Sequence, residues 1–291
     1  MIMVNENGVQ SQPARMDHRE PDMITALLSG GAAGLGVDVT LFPLDTIKTR
    51  LQSEAGFRAS GGFKGIYSGI GPAAIASAPT AATFFLAYEG VKQLVSDKVP
   101  SKYEPGVHMF AASAGEVAAC VIRVPMEVVK QRMQAQMYQS SMQVIQVTLR
   151  QEGFRGLYRG YTSTVIREVP FSIIQFPLWE LFKKWWSHHQ GRLVDSWQSS
   201  LCGALAGGMA AAITTPLDVA KTRIMLADHS SSIAKGNIAN AMKVVYSQQG
   251  ISGLFAGVIP RTMWISLGGA VFFGIYEKSK NFIQSKMGAD K

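Results

Sequence analysis

The sequence predicts an all-α membrane protein with six transmembrane helices, arranged as three copies of one two-helix unit. Three observations predict it. Charged residues make up 16% of the 291-residue chain and hydrophobic residues 47%, whereas an ordinary soluble domain carries about 25% charged. Six stretches of bilayer length are nearly free of charge, and one charged motif recurs three times. The same composition argues against disorder, and a net charge of +8 spread this thinly argues against a nucleic-acid partner, which would require dense Lys and Arg.

The spans come first. A hydrocarbon core of about 30 Å needs roughly 20 helical residues. Residues 23–44 contain one charge, Asp38, residues 65–88 and 196–217 contain none, and residues 106–122 contain only Glu116. Weaker stretches run over 161–178, interrupted by Arg167 and Glu168, and over 258–276, interrupted by Arg261. Six spans place both termini on one side. Residues 1–21 are polar and include Glu6, Asp17 and Glu20, which fits neither a signal peptide nor an acid-poor transit peptide, so they read as a flexible tail. The repeats then occupy 22–98, 104–190 and 196–285, with 286–291 as a C-terminal tail.

The motif fixes the repeat. Pro43-Leu-Asp45-Thr-Ile-Lys48-Thr-Arg50 recurs as Pro125-Met-Glu127-Val-Val-Lys130-Gln-Arg132 and as Pro216-Leu-Asp218-Val-Ala-Lys221-Thr-Arg223. At ordinary residue frequencies such a pattern arises about once in 10,000 start positions. Proline removes a backbone donor and bends a helix, so Pro43, Pro125 and Pro216 would kink the odd helices and bring their charged ends together. A glycine motif follows each copy, ending at Gly69, Gly160 and Gly257, and 20 residues beyond each glycine stands an acid: Glu89, Glu180 and Glu277. A lysine follows three residues later in each case, Lys92, Lys183 and Lys280. Twenty helical residues rise about 30 Å, which places these acid/lysine sets at the opposite membrane face from the glycines.

Differences between copies mark an asymmetric ligand, because charges inside a membrane are costly and tend to be functional. Five residues before the prolines stand Asp38, Cys120 and Ala211; nine before stand Gly34, Glu116 and Gly207; two before stand Leu41, Arg123 and Thr214. Glu116 and Arg123, seven residues apart, share one helix face. In the even helices, seven and eight residues past the last glycine, the copies read Ala76-Ser77, Arg167-Glu168 and Trp264-Ile265. Three acids against two bases suit a zwitterion with extra positive charge rather than a polyphosphate. No His/Cys cluster has metal-ligand or HExxH spacing, so neither a metal site, a cofactor nor an enzyme is expected.

Three copies of Pro-x-acid-x-x-Lys-x-Arg, each with its glycine motif and aromatic-Glu-x-x-Lys set, resemble the mitochondrial carrier family over residues 22–285. The segments Phe42 to Gln52, Ala114-Gly-Glu-Val117, Arg167-Glu-Val-Pro-Phe-Ser172 and Asp195-Ser-Trp-Gln198 are most similar to its S-adenosylmethionine-transporting branch. The resemblance implies the mitochondrial carrier fold, three pseudo-symmetric helix pairs around a central cavity, and exchange of S-adenosylmethionine for S-adenosylhomocysteine by alternating access. It further implies a matrix gate in which Asp45 pairs with Lys130, Glu127 with Lys221 and Asp218 with Lys48. Gln52 and Gln134 would brace the gate; the third brace position is Met225. It implies a cytoplasmic gate pairing Glu89 with Lys183, Glu180 with Lys280 and Glu277 with Lys92, and puts Ala76, Arg167, Glu168 and Trp264 at substrate contact points beside Asp38, Glu116 and Arg123. Arg261, nearer the matrix end, reads as structural or lipid-facing.

Charge also orients the chain. The three segments 48–64, 130–159 and 221–252 hold 13 basic and 3 acidic residues, and the opposite side with both tails holds 12 and 11. The positive-inside rule puts the basic segments in the matrix and both termini in the intermembrane space of a mitochondrial inner membrane, with a plastid envelope as the alternative. A monomer is expected, with cardiolipin as a bound lipid, because helix starts near Gly69, Gly160 and Gly257 favour phosphate. The alternatives are a carrier of the same fold for another amino-acid-like or adenine-containing cation, or a proton leak.

Overall fold

The computed structural model describes residues 23–96, 104–228 and 231–289. The N-terminal segment read as a flexible tail lies outside the described residues. Six long helical stretches dominate: α1 (Met23–Gln52), α3 (Ile70–Ser96), α4 (Glu104–Gln134), α7 (Tyr161–Gln190), the pair α8 (Ser196–Ile213) and α9 (Thr215–Leu226), and α11 (Val258–Ala289). Shorter helices follow the odd stretches: α2 (Gly56–Ala59), α5 (Ser141–Glu152), α6 (Phe154–Leu157) and α10 (Ile238–Leu254). The last helix runs into the stretch read as a C-terminal tail as far as Ala289.

In the first two copies the helix continues through the charged motif rather than ending at the proline. Pro43 and Pro125 lie inside α1 and α4. In the third copy the helix breaks at Thr214, just before Pro216, and the two halves diverge by 63°. Pro216 has no backbone N–H to donate to the preceding turn, and the hydroxyls of Thr214 and Thr215 turn back onto the carbonyls of Ala210 and Ala211, at 2.8 and 2.7 Å, at the same break.

By length and composition, Ile70–Val95 is the one described helix apolar enough to cross a membrane unbroken, with two more spans if the bent pairs α8/α9 and α10/Val258–Phe272 each count as one. In α7, Arg167 and Glu168 interrupt the apolar stretch.

Packing joins the long helices end to end in a closed order: α1 on α3, α3 on α4, α4 on α7, α7 on α8, α8 on α11, and α11 back on α1. The turn glycines set the close approaches. Gly69, Gly160 and Gly257 open the even helices at φ of 90°, 82° and 73°, a left-handed conformation that disfavours a side chain. Each faces another repeat: a Cβ on Gly69 would lie 2.8 Å from the Lys130 carbonyl, one on Gly160 2.9 Å from Met225 Cγ, and one on Gly257 3.2 Å from the Lys48 carbonyl.

Candidate functional site

At the proline end of the bundle, three acids meet three lysines from neighbouring copies. Lys130 Nζ stands 2.7 Å from Asp45 Oδ2, Lys221 Nζ 2.6 Å from Glu127 Oε1, and Lys48 Nζ 2.7 Å from Asp218 Oδ2. Gln134 Nε2 donates to Asp45 at 2.8 Å and Gln52 Nε2 to Asp218 at 3.0 Å. Met225 is fully buried against Cys120, Val124 and Val128 and has no donor to offer. Gln131 Nε2 donates to Glu127 at 3.1 Å instead.

A second cyclic set lies with the first. The last arginine of each motif donates from Nε to the backbone carbonyl at the brace position of another copy: Arg50 to Gln134 at 2.7 Å, Arg132 to Met225 at 3.3 Å, and Arg223 to Gln52 at 2.6 Å. Thr49 and Thr222 donate to the side-chain oxygens of Gln134 and Gln52, at 2.9 and 2.7 Å. Sequence reasoning used these arginines only to recognise the motif and passed over Thr49, Thr222 and Gln131, though all stand at matched offsets in the repeat. Of the two readings of Arg261, structural or lipid-facing, the first fits: it is 2% exposed, and its Nη2 donates to Thr214 Oγ1 at 2.9 Å.

At the other end, the expected pairing between copies is not formed by the described side chains. Lys92 lies 3.8 Å from Glu89 and Lys183 2.6 Å from Glu180, each within its own helix. Each lysine also sits over its own copy's aromatic ring, Lys92 over Tyr88 at 5.8 Å and Lys183 over Trp179 at 3.9 Å. With the proline end drawn together these lysines fall back on local partners, and Glu89 makes no ion pair with Lys183. The side chains of Glu277 and Lys280 lie outside the described residues.

Between the two ends is a cavity of about 440 Å³, within the range of about 300–1,000 Å³ common for small-molecule sites. Asp38, Ala76, Glu116, Arg123, Arg167 and Trp264 all line it. Glu168 is joined to it through its neighbours: Arg167 contacts its carboxylate directly, and Arg123 Nη2 lies 3.4 Å away. Arg123 also contacts Glu116 and donates to Cys120 Sγ at 3.1 Å. Two acids and two arginines thus neutralise one another, whereas Asp38 has no ion-pair partner among the described residues. Thr80, Phe84 and Phe85 of α3 add a hydroxyl and an aromatic wall that a comparison of the repeats at the Ala76 and Ser77 offsets does not reveal. Thr80 Oγ1 is buried without a hydrogen-bond partner, as a ligand-facing group would be. Lys130, Glu127 and Lys221 also line this cavity, so the ion-pair ring borders it directly. Among the described residues no group of His, Cys, Asp and Glu is arranged to hold a metal.

A family model described as mitochondrial carrier protein matches the chain three times, over residues 19–99, 101–190 and 193–287. A relative named mitochondrial S-adenosylmethionine carrier protein, from Xenopus tropicalis, is 59% identical over 92% of this chain and 98% of its own length. The protein of the same name from Mus musculus is 56% identical, covering 90% and 96%. A Drosophila melanogaster protein named S-adenosylmethionine mitochondrial carrier protein homolog is 54% identical, covering 87% and 90%. Sequence, helix packing and the three-fold match agree that the chain belongs to the mitochondrial carrier protein family.

Proposed function

We infer that this protein exchanges cytosolic S-adenosylmethionine for matrix S-adenosylhomocysteine across the mitochondrial inner membrane, supplying methyl donor to the matrix. The observation that carries the reading is the charge balance of the cavity. Two acids and two arginines form matched pairs, which suits the carboxylate and ammonium of an amino acid. One carboxylate, Asp38, is left over for one further positive charge, and S-adenosylmethionine carries that charge as a sulfonium. Phe84 and Trp264 offer faces for an adenine ring, and the names of the relatives point the same way.

The alternating-access reading rests on the two ends of the cavity. The ring of Asp45, Lys48, Glu127, Lys130, Asp218 and Lys221 acts as the matrix gate, braced by Gln52 and Gln134. The set of Glu89, Lys92, Glu180, Lys183, Glu277 and Lys280 acts as the cytoplasmic gate. A closed proline end with locally paired charges opposite fits the state open to the cytosol. Substrate contacts in the occluded state offset the cost of parting the buried pairs. The six long stretches serve as spans in three pseudo-symmetric pairs, supported by cyclic contacts that recur at matched offsets, and both termini face the intermembrane space. Cardiolipin fits a groove of about 1,400 Å³ between the starts of α7 and α10, where Arg155, Arg159, Gly160 and Asn237 meet, because helix starts and arginines attract phosphate. The transporting unit is a monomer, with one cavity enclosed by one chain.

The test is uptake of labelled S-adenosylmethionine into liposomes carrying the purified protein, preloaded with S-adenosylhomocysteine or left empty. Saturable uptake that depends on the preload supports the exchanger. Failure of S-adenosylmethionine alongside counter-exchange of another amino-acid-like or adenine-containing cation would keep the fold and overturn the substrate.

A further inference from the structure

Asp218 is held unlike the other two acids of the ring. Its Oδ2 takes Lys48 Nζ at 2.7 Å and Gln52 Nε2 at 3.0 Å, both from the first repeat. Two more cations stand just outside hydrogen-bond distance: Arg167 Nε is 3.7 Å from Oδ1 and Arg261 Nη1 is 3.8 Å from Oδ2. Both nitrogens are buried and make no hydrogen bond. Two donors therefore converge on a carboxylate that a lysine from another repeat already occupies. Among the described residues, Asp45 and Glu127 each have a single cation within 4.0 Å, Lys130 and Lys221. The positions matching Arg261, four residues past the motif glycine, are Ala73 and Thr164 in the other copies.

Arg261 differs from Lys48 in what it is tied to. Its Nη2 bonds Thr214 at 2.9 Å, and Thr214 is the break between α8 and α9, four residues before Asp218. Arg261 and Asp218 both belong to the third repeat, whereas Lys48 belongs to the first.

We propose that Arg261 is a reserve partner for Asp218, taking its carboxylate when Lys48 is withdrawn as the matrix gate opens. The inference rests on the gate reading above. Closing from 3.8 Å to a charge-assisted bond requires a shift of about 1 Å, within reach of a side-chain adjustment. A buried carboxylate stripped of its cation is strongly destabilising, and the transfer removes that obstacle from one of three pairs. Arg261 acts through Asp218 and does not touch substrate, so it is a positioning residue.

The experiment uses purified full-length protein and compares Lys48→Ala, Lys130→Ala and Lys221→Ala, each with Arg261 intact and with Arg261→Gln. Thermal unfolding in detergent is read first because it needs no substrate. The expected order has Lys48→Ala lowering the midpoint least, and Lys48→Ala with Arg261→Gln falling below the sum of the two single shifts, while the other lysine variants stay additive with Arg261→Gln. In liposomes, Arg261→Gln slows the maximal exchange rate about tenfold with KM little changed, and Arg261→Lys restores most of it. Additivity at Lys48, or a Lys48→Ala protein as unstable as Lys130→Ala or unable to fold, overturns the proposal. Arg261→Gln failing to fold leaves the order of the three single lysine variants to decide. Absence of S-adenosylmethionine exchange by the unmodified protein overturns the transport reading alone, and the melting order still decides on Arg261.

Discussion

Replacing Asp38 with Asn removes one charge from the cavity and almost no volume, so it isolates what that carboxylate does. Asp38 is partly buried, lines the cavity and has no cation within ion-pair distance among the described residues. Two unit charges 4 Å apart interact by about 4 kcal/mol at an effective dielectric near 20, while net contributions of hydrogen bonds to charged groups run about 1.5–3 kcal/mol. A partly exposed site belongs at the low end, about 1.5–2 kcal/mol, or roughly 10–30-fold in affinity. The surplus positive charge of S-adenosylmethionine is its sulfonium, which S-adenosylhomocysteine lacks. Asp38→Asn is therefore expected to raise KM for S-adenosylmethionine by about 10–30-fold while S-adenosylhomocysteine changes by less than about threefold, measured as counter-exchange in both directions across liposomes. An equal loss for both ligands would show that Asp38 does not read the sulfonium. No loss for either would remove it from the substrate site.

Three further perturbations test the ring and its supports. Asp45→Lys or Lys130→Asp alone places like charges together where the side chains are 17% and 23% exposed; each is expected to cost about 2–4 kcal/mol and to abolish exchange, and the double swap is expected to recover much of both in melting and uptake assays. Glu152 is shared by Arg132 and Arg159, and all three side chains are at most 6% exposed. Glu152→Ala leaves two guanidiniums without their acid and is expected to destabilise by about 3–5 kcal/mol, seen as a lowered unfolding midpoint with KM unchanged in whatever folds. Gly160→Ala forces a side chain to φ 82° and within 2.9 Å of Met225 Cγ, for a loss of about 1–2 kcal/mol, and Gly191→Ala at φ 69° with open space around it is the control that separates backbone strain from contact.

Much of this arrangement is legible in the sequence because a repeat is a comparison made inside one chain. Residues alike in three copies, such as Asp45, Glu127 and Asp218, are marked by recurrence, and residues that differ, such as Asp38 and Trp264, are marked by breaking it. Periodicity also reveals which helices carry charge inside an apolar stretch. What it cannot reveal is how a charge is shared. Arg167, Glu168, Glu116 and Arg123 stand out in the sequence as four separate charges, yet in space they form one neutral cluster, and only that pairing singles out Asp38. The opposite face is less legible for a related reason: Glu89 and Glu180 each have a lysine three residues away on the same helix as well as one in another repeat, and the sequence contains both partners without saying which state of the bundle is populated.

The third brace shows the limit most sharply. Comparing copies finds a glutamine missing at Met225 and suggests a weak seam between the second and third repeats. The structure answers at other offsets. Gln131 stands where the other copies have Thr49 and Thr222, and it donates to Glu127 at 3.1 Å, but donor and acceptor belong to the same helix, so this bond does not cross the seam. Arg132 reaches across to the Met225 carbonyl at 3.3 Å, longer than its two counterparts. Arg159, whose matched positions are Ser68 and Ala256, supplies the missing link by contacting the Ala227 carbonyl. The support lost among the ring residues is thus taken over by a contact outside the ring. Parting this seam then means breaking Lys221 from Glu127 with no glutamine spanning the two repeats, while the other two seams must also release Gln134 and Gln52. Three pairs that look equivalent in the motif are therefore held differently, two with a glutamine that crosses the seam and one with Arg159 on a backbone carbonyl beside it.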